Sequence, residues 1–172
     1  MAELWDILDE NGNVIGRFIE RGKPMQKGDY HLVAEIWILN SKWEFLISKR
    51  SAGGEWHGLW QTTGGCAVAG DDSLKTALKE TREEIGITLD PKNGMLFKRY
   101  SALRSNDPGG YIKDVWLFRQ EADIASVVFQ PEETCDAMWA SKAQIIQFIN
   151  EKKFIPVEKY PYLNELFEHC EV

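Results

Sequence analysis

Three glutamates, Glu80, Glu83 and Glu84, sit within the segment Lys79-Glu80-Thr81-Arg82-Glu83-Glu84-Ile85-Gly86-Ile87. On a helix turning about 100° per residue, Glu80 meets Glu83 at i+3 and Glu84 at i+4, so the three carboxylates share one edge. Like charges crowded in this way repel one another and call for a compensating cation. Oxygen ligands and negative charge suit a hard divalent ion, Mg²⁺ first and Mn²⁺ as its substitute. Mg²⁺ held by carboxylates usually works on phosphates, so the chemistry to expect is at phosphorus. A cluster of glutamates on a helix is otherwise a solvated face. What argues for the metal is a glycine stretch at a fixed distance upstream, Gly64-Gly65 followed by Gly70-Asp71-Asp72-Ser73.

From Gly65 there are five residues to Asp71 and seven more to Lys79, then Glu80, Glu83, Glu84, Gly86 and Ile87. This spacing resembles the Nudix box, the signature of hydrolases acting on nucleoside diphosphates linked to another group. The family pattern has Glu where this chain has Asp71, an aliphatic residue at Thr81, and Arg at Lys79. Asp71 shortens a carboxylate by one methylene, and Thr81 is tolerable on a buried stripe. Lys79 is the weightier departure, because Arg holds a carboxylate with a bidentate fork and Lys offers a point charge. Lys79 is still spaced to reach Glu83 at i+4.

By this resemblance Glu80, Glu83 and Glu84 are the metal-binding carboxylates and catalytic residues, with Lys79 orienting them. The Gly65 carbonyl joins the ligand set, and Gly64 and Gly65 let backbone approach ion and substrate closely. Family members also recruit an acid from a loop beyond the box, for which Glu132 and Glu133 are the candidates; Glu133 is taken as the metal ligand. Lys49 and Arg50, ending a strand before Ser51, are placed to meet a phosphate, with a surface salt bridge as the competing role. Trp56, Trp60 and Tyr111 offer faces for a base, although aromatics near glycine loops more often pack. Cys66 has no neighbouring histidine in sequence to activate it and reads as an inert thiol.

These residues need a scaffold. Leu4–Leu8 and Val14–Ile19 flank Asn11-Gly12, a hairpin signal. His31–Leu39 and Trp43–Ser48 are strand-like runs, and residues 51–72 are glycine-rich and loop-like around Leu59–Thr63. The box helix is expected from Asp72 or Ser73 to Ile85, with Leu74, Ala77, Leu78, Thr81 and Ile85 facing the core and Gly86 closing it. Met95–Leu103 and Tyr111–Arg119 follow as antiparallel strands, then a short strand at Ala137–Trp139. Ser141 and Gln144 make a capping box for a helix to about Lys152, and a last helix spans Leu163–Cys170. The elements fit an α+β fold, and the resemblance implies an α/β/α sandwich with a mixed sheet and the box as loop-helix-loop. Residues 1–172 read as a single Nudix domain, with residues 1–25 as a hairpin extension and 65–87 as the box.

Composition sets the outer bounds. With 172 residues, 44% hydrophobic and 27% charged, the chain suits one ordinary globular domain. A formal charge of −7 argues against a nucleic-acid polymer and leaves a small-molecule diphosphate or nucleotide as partner. Cys66, Cys135 and Cys170 are scattered and odd in number, which suits reduced thiols in a cytoplasm. Neither a signal peptide nor a membrane span is expected. The N-terminal hairpin offers an edge to a homodimer.

Beyond the box, Leu4–Gly12, Arg21, His31, Ser48–Ser51 and Leu59-Trp60 resemble the isopentenyl-diphosphate isomerases and the hydrolases similar to them. That branch is expected to carry a cysteine followed by a histidine after the tryptophan, where this chain has Gly64-Gly65-Cys66-Ala67, and Met25 stands near another expected histidine. The intact carboxylates favour hydrolysis over isomerisation. A non-catalytic nucleotide sensor is the third reading, resting on Lys79 and Asp71.

Overall fold

The computed structural model describes residues 2–52, 56–103 and 108–172. Strand β3 (Tyr30–Leu39) is the hub of the fold. It runs parallel to β8 (Gly110–Arg119) over ten residue pairs, from Tyr30 opposite Gly110 to Leu39 opposite Arg119. It runs antiparallel to β4 (Phe45–Arg50) and to β6 (Thr63–Cys66). The hairpin β1 (Leu4–Leu8) and β2 (Val14–Glu20) joins at Leu8 opposite Tyr30, β7 (Gly94–Leu103) extends β8, and β5 (Trp60–Gln61) and β9 (Thr134–Ala140) flank β4. The result is one mixed sheet.

Period-two alternation along the strands gives the sheet two apolar faces. Ala34, Ile36, Ile38 and Phe118 pack with Ala77 and Ile85 of α1 (Ser73–Ile85). Trp37, Leu39, Val115 and Leu117 face the other way, onto Ile145 of α2 (Lys142–Asn150) and Leu163, Leu166 and Phe167 of α3 (Leu163–His169). Helices on both faces of a mixed sheet make the expected α+β sandwich.

The box helix begins and ends where its chemistry requires. The Asp72 carboxylate accepts from the Lys75 amide at 2.7 Å, capping the first turn. Gly86 closes the last turn at φ 71°, and a Cβ there would lie 2.9 Å from the Val128 nitrogen. The Thr81 hydroxyl, fully buried, donates back to the Ala77 carbonyl at 2.8 Å, which satisfies the polar residue on the core stripe. Leu74 and Leu78 are only partly buried at the edge of that packing.

One segment differs from expectation. Residues 64–66 lie in the part of 51–72 read as loop, yet with Thr63 they form β6 on β3. The glycines there serve close strand approach: a Cβ on Gly64 would sit 2.5 Å from the Ala34 carbonyl oxygen. Part of the expected connection between β7 and β8, and of the glycine run after Arg50, lies outside the described residues.

Candidate active site

β6 and α1 meet at the box. Gly65 faces Glu80 so closely that a Cβ would lie 2.2 Å from the Glu80 Oε2. One turn on, Glu84 is buried, with only 4% of its surface exposed, and its Oε2 has no hydrogen-bond partner. Burial, reinforced by Glu83 and Glu133, pushes the Glu80 carboxyl up to about 7, with Lys79 opposing. Burial, then repulsion from Glu80 and Glu133, pushes Glu84 up to about 8, against the Gly64 amide and Arg50. Two carboxylates are thus held together where ionising both is costly without a positive partner.

Glu83 is the outlier of the three. It is exposed and lines an outer groove with Lys75, Lys79 and Arg82, although it still repels Glu80. Lys79 forms no ion pair among the described residues, so the expected i,i+4 contact with Glu83 is not made. Asp71 is turned to Lys75 at 2.5 Å. Among the described residues, no group of three or more His, Cys, Asp or Glu side chains converges as a finished metal cage. The donor set nevertheless fits a hard cation: carboxylate oxygens, one of them buried and unsatisfied, beside a close-approaching backbone.

A further acidic side chain stands on the loop before β9. The Gln130 amide donates to the Glu84 carbonyl at 3.2 Å, the Glu133 amide donates to the Gln130 carbonyl at 2.9 Å, and the Ser51 amide donates to the Glu133 carbonyl at 2.9 Å. This chain of bonds hangs the Glu133 loop from the end of α1 and ties it to β4. Glu132 and Glu133 are both exposed, and of the two it is Glu133 that acts on Glu80 and Glu84.

Lys49 and Arg50, adjacent on β4, point to opposite faces. Lys49 lies over the Trp60 ring at 5.6 Å, away from the carboxylates. Arg50 acts on Glu84 and donates to Gln61 Oε1 at 3.1 Å. Trp60 is stacked on Phe148 at 5.9 Å between centroids and belongs to the core. Cys66, without a histidine near it in sequence, has one in space: its Sγ lies 4.0 Å from His31 Nε2, and His31 packs edge-on against Trp5.

The hairpin reaches the site as well. The Ala69 amide donates to the Leu4 carbonyl at 2.8 Å and the Gly70 amide to Asp6 Oδ2 at 2.7 Å, so β1 braces the box loop. Glu3 acts on Glu80, and Arg21, paired with Glu3 at 3.2 Å, feels Glu133 and Cys66. No spacing rule links residues this far from the box.

The NUDIX domain model matches residues 29–163, which carry every one of the box residues. The chain belongs to the Nudix family. An uncharacterized Nudix hydrolase of Listeria innocua is 31% identical over 168 residues, covering 96% of this chain and 94% of that protein. An isopentenyl-diphosphate Delta-isomerase of Cutibacterium acnes is 27% identical over 110 residues, 63% of this chain and 55% of that protein. Among solved structures, DR0079 from Deinococcus radiodurans superposes with a TM-score of 0.73 at 20% identity, over 98% of this chain and 99% of that one. The Nudix chain is thus an enzyme of the hydrolase kind, with isomerases among its more distant relatives.

Proposed function

We propose that this Nudix hydrolase is Mg²⁺-dependent and cleaves a diphosphate bond in a nucleoside diphosphate-linked or related small molecule by attack of water at phosphorus. The observation that carries the reading is the buried, unsatisfied Glu84 Oε2 beside Glu80, a carboxylate pair that repels itself until a cation joins it. The proposed ligands are Glu80, Glu83, Glu84, the Gly65 carbonyl and Glu133. When bound, the divalent ion supplies positive charge for phosphate oxygens and acidifies the attacking water.

The chain's own residues do the rest. Without a cation, burial and mutual repulsion keep protons on Glu80 and Glu84 toward neutrality, so taking up the ion means releasing those protons. Arg50, which acts on Glu84, is the proposed partner for a phosphate, with Gly64 and Gly65 allowing the substrate close to backbone. Lys49 is the weaker candidate because its ammonium faces Trp60. Lys79 acts at a distance, lowering Glu80 without pairing to it. Among the described residues no helix is long and apolar enough to cross a membrane. The scattered positions and odd number of Cys66, Cys135 and Cys170 favour the reading of a reducing, cytoplasmic setting. The bonds from β1 to the box loop favour treating 1–172 as one working unit.

The test is a panel of diphosphates with Mg²⁺ or Mn²⁺ and product identification by mass. Metal-dependent release of a phosphate or nucleoside monophosphate is expected, and Glu84→Gln should reduce it by about 100-fold or more. Full activity of that variant would remove Glu84 from the site, and conversion of isopentenyl diphosphate to its allylic isomer would replace the hydrolase reading.

A further inference from the structure

Beside the carboxylates lies a cavity of about 200 Å³, whose lining includes Glu35, Trp56, Gln61, Thr62, Lys113 and Tyr160. It is continuous with the box through Gly64, which lines the cavity while its amide faces Glu84. Arg50 makes the same link, acting on Glu84 and on Tyr160 while holding Gln61. A molecule with its diphosphate at Glu80 and Glu84 would therefore put its attached group here.

The floor of this cavity is charged, which is unusual for a strand interior. Lys113 Nζ lies 2.6 Å from Glu35 Oε2, and both residues are buried. The other Glu35 oxygen accepts from the Tyr162 hydroxyl, which in turn accepts from Trp37 Nε1 at 2.9 Å. Glu35 is thus fixed from behind. Its cation is less fully engaged: an ammonium carries three donors, and Glu35 and the Tyr100 hydroxyl take two of them. Around it stand the rings of Tyr100, Tyr111 and Tyr160, at 5.7–5.9 Å. Trp56 at the wall holds φ at 64°, a conformation a bulky residue keeps only under constraint.

We infer that this cavity selects the group attached to the diphosphate, and that the Lys113–Glu35 pair makes it prefer a compact, uncharged group bearing hydrogen-bond acceptors over a prenyl chain. The inference rests on the diphosphate-hydrolase reading for what occupies the neighbouring carboxylates. A hydrocarbon chain would strip water from the remaining Lys113 donor and return nothing, whereas a sugar hydroxyl or a nucleobase edge would accept from it. The aromatic walls suit either of those, since each presents an apolar face along with its polar edge. Lys113 and Glu35 are positioning residues in this account, because they set which group is held and take no part at phosphorus.

Calorimetric titration of the metal-free full chain tests this apart from turnover. The ligands are cytidine monophosphate, ribose 5-phosphate and dimethylallyl monophosphate. At least one polar monophosphate should bind about tenfold or more tighter than the prenyl one. Ribose 5-phosphate matching the nucleotide would assign the preference to the sugar, and binding of the nucleotide alone would assign it to the base. The neutral double variant Glu35→Gln/Lys113→Gln should erase that margin while Trp56→Ala, at the wall, weakens the polar ligand without touching the buried pair. With Mg²⁺, the double variant should raise KM for polar-linked diphosphates far more than it lowers kcat. Equal or tighter binding of the prenyl monophosphate, or an unchanged margin in both variants, overturns the inference. Loss of preference with metal-dependent phosphate release intact leaves the hydrolase standing; preference without release on any diphosphate does the reverse.

Discussion

Gly65 is where a single side chain decides the geometry of the carboxylates. A Cβ there would collide with the Glu80 carboxyl group, whose atoms are its three nearest neighbours. The far end of a glutamate is flexible, so the fold can absorb an alanine by swinging Glu80 aside. Gly65→Ala should therefore cost little stability, within about 1 kcal/mol, yet displace the carboxylate from Glu84. We expect metal-dependent turnover to drop by about tenfold or more, with a matching rise in the Mg²⁺ concentration needed for half-maximal rate. Unchanged Mg²⁺ dependence in a well-folded Gly65→Ala protein would show that the Glu80 position is immaterial. Gly64, in contrast, abuts the Ala34 carbonyl, and a side chain there challenges the strand pairing itself.

At the scale of elements, the box helix depends on its caps because it packs along only one stripe. Asp72→Ala removes the carboxylate that accepts from the Lys75 amide and should cost about 1 kcal/mol in urea denaturation, with the unfolding slope unchanged. A loss near zero would mean that the helix start is held by tertiary packing alone. This helix was legible in the sequence to within a residue at its start, because its cap, its apolar stripe and its closing glycine are all local signals. The same holds for the Ser141–Gln144 capping box of α2 and the Asn-Gly turn of the first hairpin. The strand β6 was not legible, since Thr63-Gly64-Gly65-Cys66 has loop composition and becomes a strand only against Ala34 and Glu35. Helical spacing puts Glu80, Glu83 and Glu84 on one edge, but burial differs around the helix, so Glu84 is enclosed while Glu83 stands exposed at the rim. In sequence Glu35 stands among apolar residues of His31–Leu39, and Lys113 stands beside Asp114 in Tyr111–Arg119, with nothing local to join them. Only the parallel pairing of β3 with β8, a long-range fact, shows that they answer each other.

For the whole molecule the consequence is a coupling between charge, pH and metal. The formal charge of −7 counts Glu80 and Glu84 as ionised, yet the fold resists charging this half-buried and buried pair. In the unfolded chain both glutamates lose their protons near 4.5, whereas in the fold Glu80 holds its proton to about 7 and Glu84 to about 8. Between those limits the folded state binds more protons than the unfolded one, so stability must fall as pH rises. The sign is opposite to that of a salt-bridged carboxylate, which stabilises as it ionises. Chelator-treated protein should accordingly show a melting temperature that declines from pH 5 to pH 8 and levels off above. Glu84→Gln should flatten that decline, since it removes the more strongly raised of the two groups. A cation that binds only the ionised pair stabilises by mass action, and more so at higher pH. Adding Mg²⁺ should therefore raise the melting temperature more at pH 8 than at pH 5, and Glu84→Gln should lose most of that gain. Differential scanning calorimetry across the pH range, with and without Mg²⁺, reads both effects in one series. A Mg²⁺ shift independent of pH would place the ion away from Glu80 and Glu84, whatever the enzyme's activity.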